Sequence, residues 1–183
     1  MHIDKYNLPY ILKFDYKALK PQLIRPMIEQ VRKENWKNII GVEIGVYKGF
    51  NSASIMRNLD MKRLYLVDPY ISYDEYTEVD MDNIKQEMKR NLHNYSNRLF
   101  INKTSKDAIN HIPDNLDFVY IDGNHTYEYV KQDIELYYPK VKQGGYIGGH
   151  DYPREGLVDA VTEFCEKENK KLFHKRIDWW VKI

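Results

Sequence analysis

Short apolar runs alternate with amphipathic stretches from residue 38 almost to the end of the chain. Residues 38–45, 63–68, 98–102 and 116–122 are each rich in β-branched, leucine or aromatic side chains. Such runs predict strands covered on both faces. Residues 144–149 form a weaker fifth run, because glycine lowers strand propensity. The stretches between them read as helices. Residues 51–59 carry Ala53, Ile55, Met56 and Leu59, and residues 79–94 carry Val79, Ile84, Met88 and Leu92. Residues 126–137 space Tyr127, Val130, Ile134 and Tyr137 along one apolar helix face. Residues 156–168 carry Leu157, Val161, Phe164 and Cys165. This alternation implies right-handed crossovers and a Rossmann-like, doubly wound α/β sheet with helices on both faces. The tail breaks the pattern. The runs at 171–177 and 179–183 are almost adjacent, a gap that permits a hairpin but no crossover helix. The expected sheet therefore has about seven strands, all parallel but the last.

Residues 1–37 precede this unit and predict an N-terminal arm and helix, with the main domain over 38–183. Leu19, Leu23, Ile24, Met27, Ile28 and Val31 recur at helical spacing, but Pro21 and Pro26 limit an unbroken helix. The reading is a helix from about residue 26 to 33, preceded by an irregular arm holding Tyr6, Tyr10, Phe14 and Tyr16.

Composition narrows the picture. A chain of 183 residues fits one domain able to bury a real core. With 28 Lys+Arg against 27 Asp+Glu, it lacks the basic excess of a dedicated nucleic-acid binder. Its single cysteine, Cys165, excludes an internal disulfide and suits a reducing, cytoplasmic compartment. Mean hydropathy is −0.68, and no apolar run approaches the ~18–20 residues needed to cross a bilayer. The first residues show no long apolar stretch of the kind a signal peptide needs. The expectation is a soluble protein with no membrane partner. Only 9 glycines stand against 16 tyrosines, and the glycines cluster where the chemistry gathers.

Glu43-Ile44-Gly45-Val46-Tyr47-Lys48-Gly49 closes the first strand and opens the first helix. Glycine there permits unusual torsions and lets a ligand approach the backbone. The first crevice of a doubly wound sheet is where nucleotides bind. The segment is neither the dinucleotide GxGxxG pattern nor a P-loop, and an acid at that strand end suits a cationic amine better than a pyrophosphate. Asp68 ends the second strand, where an acid can accept hydrogen bonds from both ribose hydroxyls. Asp122-Gly123-Asn124-His125 follows the fourth strand and His150-Asp151 the fifth. Two acids and two histidines thus converge on one crevice, as a metal site, an acid/base pair or both. Residues 70–76, acidic and aromatic, suit either a solvated loop or a lid that stacks a ring.

Taken in order, these features resemble the class I S-adenosylmethionine-dependent methyltransferases over roughly residues 38–183. The carriers are Glu43-x-Gly45-x-x-x-Gly49, Asp68, the stretch Tyr120 to Glu128, and Lys142 to Tyr152. The last two stretches look most like the small-molecule and sugar O-methyltransferases of the macrocin type. The resemblance implies that Glu43, Gly45 and Gly49 line the methionine end of the cofactor. It implies that Asp68 holds the ribose, Ser105 flanks the adenine, and Asp122 sits beneath the sulfonium facing the acceptor. Metal-dependent relatives of the catechol type place an Asp after strand four, a base three residues on, and an Asp-Asn pair after strand five. Asp122 matches the first, His125 falls on the base position, and His150-Asp151 on the pair. Histidine at 150 departs from that pattern; it lowers the fit to Mg²⁺ and admits Mn²⁺ or Zn²⁺.

The implied reaction is O-methyl transfer to a hydroxyl of a small molecule or sugar. Such a hydroxyl needs a base or a metal, and His125 with Asp122 is the candidate. The competing readings are a nucleoside-binding module that has lost transfer, a nucleic-acid methyltransferase, and an NAD-dependent oxidoreductase. The last lacks its GxGxxG, and amino-methylating enzymes usually carry an Asn/Asp-Pro-Pro-aromatic motif that is missing after strand four. So little chain is left over that the acceptor site should be open or closed by a second subunit of a homodimer.

Overall fold

The computed structural model describes residues 24–72 and 79–183. The tyrosine-rich arm and residues 73–76 of the candidate lid lie outside those residues. Helix α1 (Pro26–Lys33) forms over the expected span. Proline at its first position fits, because the N–H it lacks has no helical partner there. The chain continues through β1 (Ile39–Ile44), α2 (Phe50–Asn58), β2 (Met61–Val67), α3 (Met81–Leu92) and β3 (Arg98–Ile101). It then forms α4 (Ser105–Ala108), β4 (Leu116–Ile121), α5 (Tyr127–Tyr137), β5 (Val141–Gly149) and α6 (Glu155–Lys167). The hairpin β6 (Leu172–Lys175) and β7 (Asp178–Lys182) closes it.

The seven strands form one sheet in the order β3-β2-β1-β4-β5-β7-β6. Strands β1 to β5 are mutually parallel. Strand β7 runs antiparallel to β5 on one side and to β6 on the other. The reversed last strand expected from the short tail is therefore present, inserted between β5 and β6. Strand β5 starts at Val141, earlier than its glycines suggested, because Val141 pairs with Leu116 before the register shifts.

Alternation along the strands sorts side chains into two layers. In β4, Phe118 and Tyr120 join the layer of α1, α2 and α3. Leu116, Val119 and Ile121 join the layer of α4, α5 and α6. Every residue of β4 is buried, as a central parallel strand should be. Strand order reverses between β1 and β4, so a crevice opens beyond their paired ends, Ile44 and Ile121. No described helix is long and apolar enough to cross a membrane.

Candidate active site

Two adjoining cavities occupy this crevice, and Gly45, Tyr47 and Asp122 line both. The first, of about 160 Å³, lies over the ends of β1, β2 and β4. Its walls include Ile44, Val67, Tyr70, Met81 and Tyr129, and its polar groups include Asp68, Ser105 and Asp133. The second, of about 380 Å³, gathers Arg25, Glu43, Asn51, His125, His150 and Asp151.

The wall between them is the β1–α2 turn, which has unusual torsions. Gly45 takes φ +81° and Tyr47 φ +49°. The left-handed region is costly for a bulky residue such as Tyr47, and specific contacts hold it there. Asp68 Oδ2 accepts from the amides of Val46 and Tyr47, each at 2.9 Å. Asp68 Oδ1 accepts from Tyr70 N at 2.8 Å, and the Tyr70 hydroxyl donates to the Tyr47 carbonyl at 2.6 Å. The acid expected to hold a ribose is seen here clamping the turn. A carboxylate offers about four acceptor positions, so capacity for a ribose hydroxyl is left on Oδ1. Burial raises the Asp68 pKa, and the amide hydrogen bonds offset part of that.

Ser105 opens α4, and its carbonyl accepts from the Tyr137 hydroxyl at 2.9 Å. Asp133 shares its cavity. It is 3% exposed, and its Oδ1 finds no donor among the described residues. Burial pushes its carboxyl up to about 7 despite a hydrogen bond with Ser105. Gly49 lines neither cavity. It caps α2 at φ +76° and donates its N–H to the Val46 carbonyl at 2.8 Å.

Glu43 is almost wholly buried at the floor of the second cavity. It accepts from Asn51 Nδ2 at 2.9 Å and, closely, from the Ser52 hydroxyl. Asn51 Oδ1, also buried, has no donor among the described residues. Burial pushes the Glu43 carboxyl up to about 7, although both hydrogen bonds pull it down. The folded chain therefore holds this proton more tightly than the unfolded one, where Glu titrates near ~4.3. Its contribution to stability is present below that value and is lost as pH rises through about 7. Glu43→Gln should remove this part of the pH dependence. Thermal midpoints from pH 4 to 8 should show the wild type losing ground against the variant; parallel curves would contradict the assignment.

The acid–imidazole cluster sits beyond β4 and β5. His125 Nε2 lies 2.8 Å from Asp151 Oδ2 and 3.8 Å from Asp122 Oδ1. His150 Nδ1 lies 3.3 Å from Asp151 Oδ2 and 3.6 Å from Asp122 Oδ1. Burial lowers the His125 pKa, but Asp122 and Asp151 outweigh it and push it up to about 9. Burial would raise Asp151, but the two histidines hold it well below the usual carboxylate range. Arg154 acts against the imidazolium: its Nη1 lies 2.8 Å from His125 Nδ1. A guanidinium can only donate, so that contact requires a lone pair on Nδ1 and a neutral ring with its proton on Nε2. The imidazolium and the Arg154 contact exclude each other.

The chain thus brings together Glu43, Gly45, Asp68, Ser105, Asp122, His125, His150 and Asp151, and leaves only Gly49 outside the cavities. Residues 42–152 match a family described as a methyltransferase domain. The chain belongs to this methyltransferase family. Protein R132 of Acanthamoeba polyphaga mimivirus is 34% identical over 116 residues, which are 61% of this chain and 50% of that protein. The chain thus spans about half the length of that curated relative. The fold resembles the O-methyltransferase NovP, with TM-score 0.62, 22% identity, and 85% of this chain and 78% of that one covered. It also resembles an rRNA methylase from Streptococcus thermophilus, with TM-score 0.63, 15% identity, and 87% and 96% covered.

Arg25, Phe50, Asn51 and Asp133 line this methyltransferase domain's cavities and escaped the sequence reading. Asp133 carries a signal that was there to find: an acid between Val130 and Ile134 on the buried side of α5. Arg25 carries none. It stands before α1, and only the fold brings it 2.7 Å from Asp122 Oδ2.

Proposed function

We propose that this chain is an S-adenosylmethionine-dependent methyltransferase acting on a hydroxyl of a small molecule or sugar. The observation that carries the reading is the junction of two unlike cavities at Gly45 and Asp122. The first, largely apolar with a few polar groups, suits a nucleoside: ribose at Asp68, adenine between Ser105 and Asp133. The second suits the methionine end and the acceptor. Glu43 and the unpartnered Asn51 Oδ1 offer acceptors to the α-ammonium. Tyr47 and Phe50, 39% and 38% exposed at the rim, offer rings to a sugar or aromatic acceptor.

The methyl carbon of a sulfonium is already activated. The protein must align the hydroxyl opposite the departing sulfur, which is a proximity effect, and take its proton. As the C–O bond forms and the C–S bond breaks, the proton passes to the cluster of Asp122, His125 and Asp151. With Arg154 on His125 Nδ1, Nε2 carries the ring proton toward Asp151 and Asp122. The imidazole therefore orients the carboxylates, and a carboxylate oxygen, not the ring, takes the proton.

The donor set also fits a divalent ion. Ligand atoms of Asp122, His125 and Asp151 lie within 4.8 Å of one another, and His150 Nδ1 stands against both acids. Asp122, His150 and Asp151 would hold the ion, and two acids with a histidine suit Mn²⁺ better than Mg²⁺. Such an ion would act as a Lewis acid that lowers the pKa of the acceptor hydroxyl.

The test is a thermal shift with S-adenosylmethionine and S-adenosylhomocysteine, each with and without Mg²⁺ or Mn²⁺. A stabilisation by either nucleoside is expected, and its absence overturns the reading. Asp133→Ala should shrink that shift, with affinity falling about tenfold, the worth of one hydrogen bond to a partly charged acceptor. Full retention of affinity would remove Asp133 from the adenine pocket.

A further inference from the structure

Arg25 sits one residue before α1, and its guanidinium borders the second cavity. Its Nη1 donates to Asp122 Oδ2 at 2.7 Å and to the Tyr120 hydroxyl at 2.9 Å. The guanidinium carbon lies 5.5 Å from the Tyr120 ring centroid. A chain of hydrogen bonds fixes this placement from behind. The Tyr120 hydroxyl donates to Asp178 Oδ1 at 3.0 Å, and Asp178 Oδ2 accepts from Met27 N at 3.1 Å. The arginine is thus tied to the start of the helix that carries it.

The other oxygen of Asp122 faces the opposite way. Oδ1 meets His125 Nε2 and His150 Nδ1, which in turn flank Asp151 Oδ2, with separations of 2.8, 3.3, 3.6 and 3.8 Å. Donors sharing one ion through bonds of about 2.1 Å stand ~3.0–3.5 Å apart. His150 Nδ1, at 3.3 Å from Asp151 Oδ2 and 3.6 Å from Asp122 Oδ1, is near that spacing, and a permanent cation grips the back of Asp122.

We propose that Arg25 and a divalent cation compete for Asp122. The guanidinium is a resident counter-ion that an incoming metal must weaken or displace. The inference rests on reading these side chains as an ion site. Arginine cannot shed its charge by losing a proton. Two cations on one carboxylate repel, and partial burial leaves that repulsion poorly screened. With Oδ2 held by Arg25, Asp122 also offers the ion one oxygen and cannot chelate it with both. Metal entry then loosens the contact that joins the start of α1 to the catalytic edge.

The experiment titrates Mn²⁺ into the full chain and reads free Mn²⁺ by electron paramagnetic resonance. Arg25→Ala should bind Mn²⁺ about tenfold or more tightly than the wild type. Arg25→Lys, which keeps the charge but not the fork, should gain less. Arg25→Gln, which keeps a donor for Tyr120 without the charge, guards against a folding defect in Arg25→Ala and should gain as much. Equal or weaker Mn²⁺ binding by the two neutral variants overturns the proposal, as does Mn²⁺ binding by neither wild type nor variants. A thermal shift with S-adenosylhomocysteine on the same samples separates the two claims. Loss of that shift with the Mn²⁺ result intact strikes the methyltransferase reading alone, and the reverse strikes only the competition.

Discussion

Gly45→Ala is expected to weaken S-adenosylhomocysteine binding about a hundredfold and to destabilise the fold as well. A Cβ at this position would stand 2.0 Å from the Asp122 carbonyl oxygen and 2.7 Å from Gly123 N. Both are backbone atoms, so no side chain can swing aside. The turns after β1 and β4 are also locked to their neighbours. Gly45 N donates to the Val67 carbonyl at 2.9 Å, and Asp122 N donates to the Ile44 carbonyl at 2.7 Å. One turn has to retreat, and both line the two cavities. Overpacking of this kind costs about 1–3 kcal/mol, and a left-handed torsion in a non-glycine residue adds about 1–2 kcal/mol. Gly144→Ala isolates the torsion, because Gly144 has φ +77° but nothing within 4 Å of its added Cβ. Calorimetric titration should show the hundredfold loss for Gly45→Ala and little change for Gly144→Ala. Unchanged affinity in Gly45→Ala would place the cofactor elsewhere.

Trp179→Ala is expected to cost about 3–5 kcal/mol, as large-to-small changes at buried aromatic positions do. A typical domain has only about 5–15 kcal/mol in total, so this change removes a large fraction. Trp179 is fully buried on β7, opposite Gly149 of β5 and packed into the layer of α5 and α6. Its indole N–H finds no acceptor among the described residues. Trp179→Phe removes that orphaned donor while keeping a ring, so its loss should be clearly smaller. Urea midpoints for the two variants test this order. A loss below about 1 kcal/mol in Trp179→Ala would mean that the indole is not a tightly packed core member. The damage should reach the site as well, because the adjoining Asp178 holds Met27 N and the Tyr120 hydroxyl.

Much of the architecture was legible because it follows from local rules. Pro26 and the spacing of Met27, Ile28 and Val31 marked α1. Continuous apolar runs marked the parallel strands, and the short tail marked a reversed last strand. The placement of the candidate site residues at the crevice was legible for the same reason. In a doubly wound sheet, strand ends face the crevice, so acids and histidines directly after β1, β2, β4 and β5 had to gather there. The glycine-rich stretch misjudged the start of β5, because pairing with Leu116 outweighs the weak strand propensity around Gly144 and Gly145.

The place of β7 required the third dimension. Its residues Asp178 to Val181 are all buried, whereas β6 is mostly exposed. The tryptophan-rich strand therefore takes the covered position beside β5, and the more polar one takes the edge. The sequence by itself determined the fold class, the crevice and the kinds of side chain that line it. These depend on periodicity and on chain direction, both of which are local. Only the tertiary structure decided the state of those side chains. It put the Arg25 guanidinium on Asp122, amides on Asp68, Arg154 against His125, and at the first cavity an acid, Asp133, with one oxygen lacking a donor among the described residues. Charge and desolvation act through space, and Arg25 and Asp122 become neighbours only when the packing of α1 against the sheet brings them together.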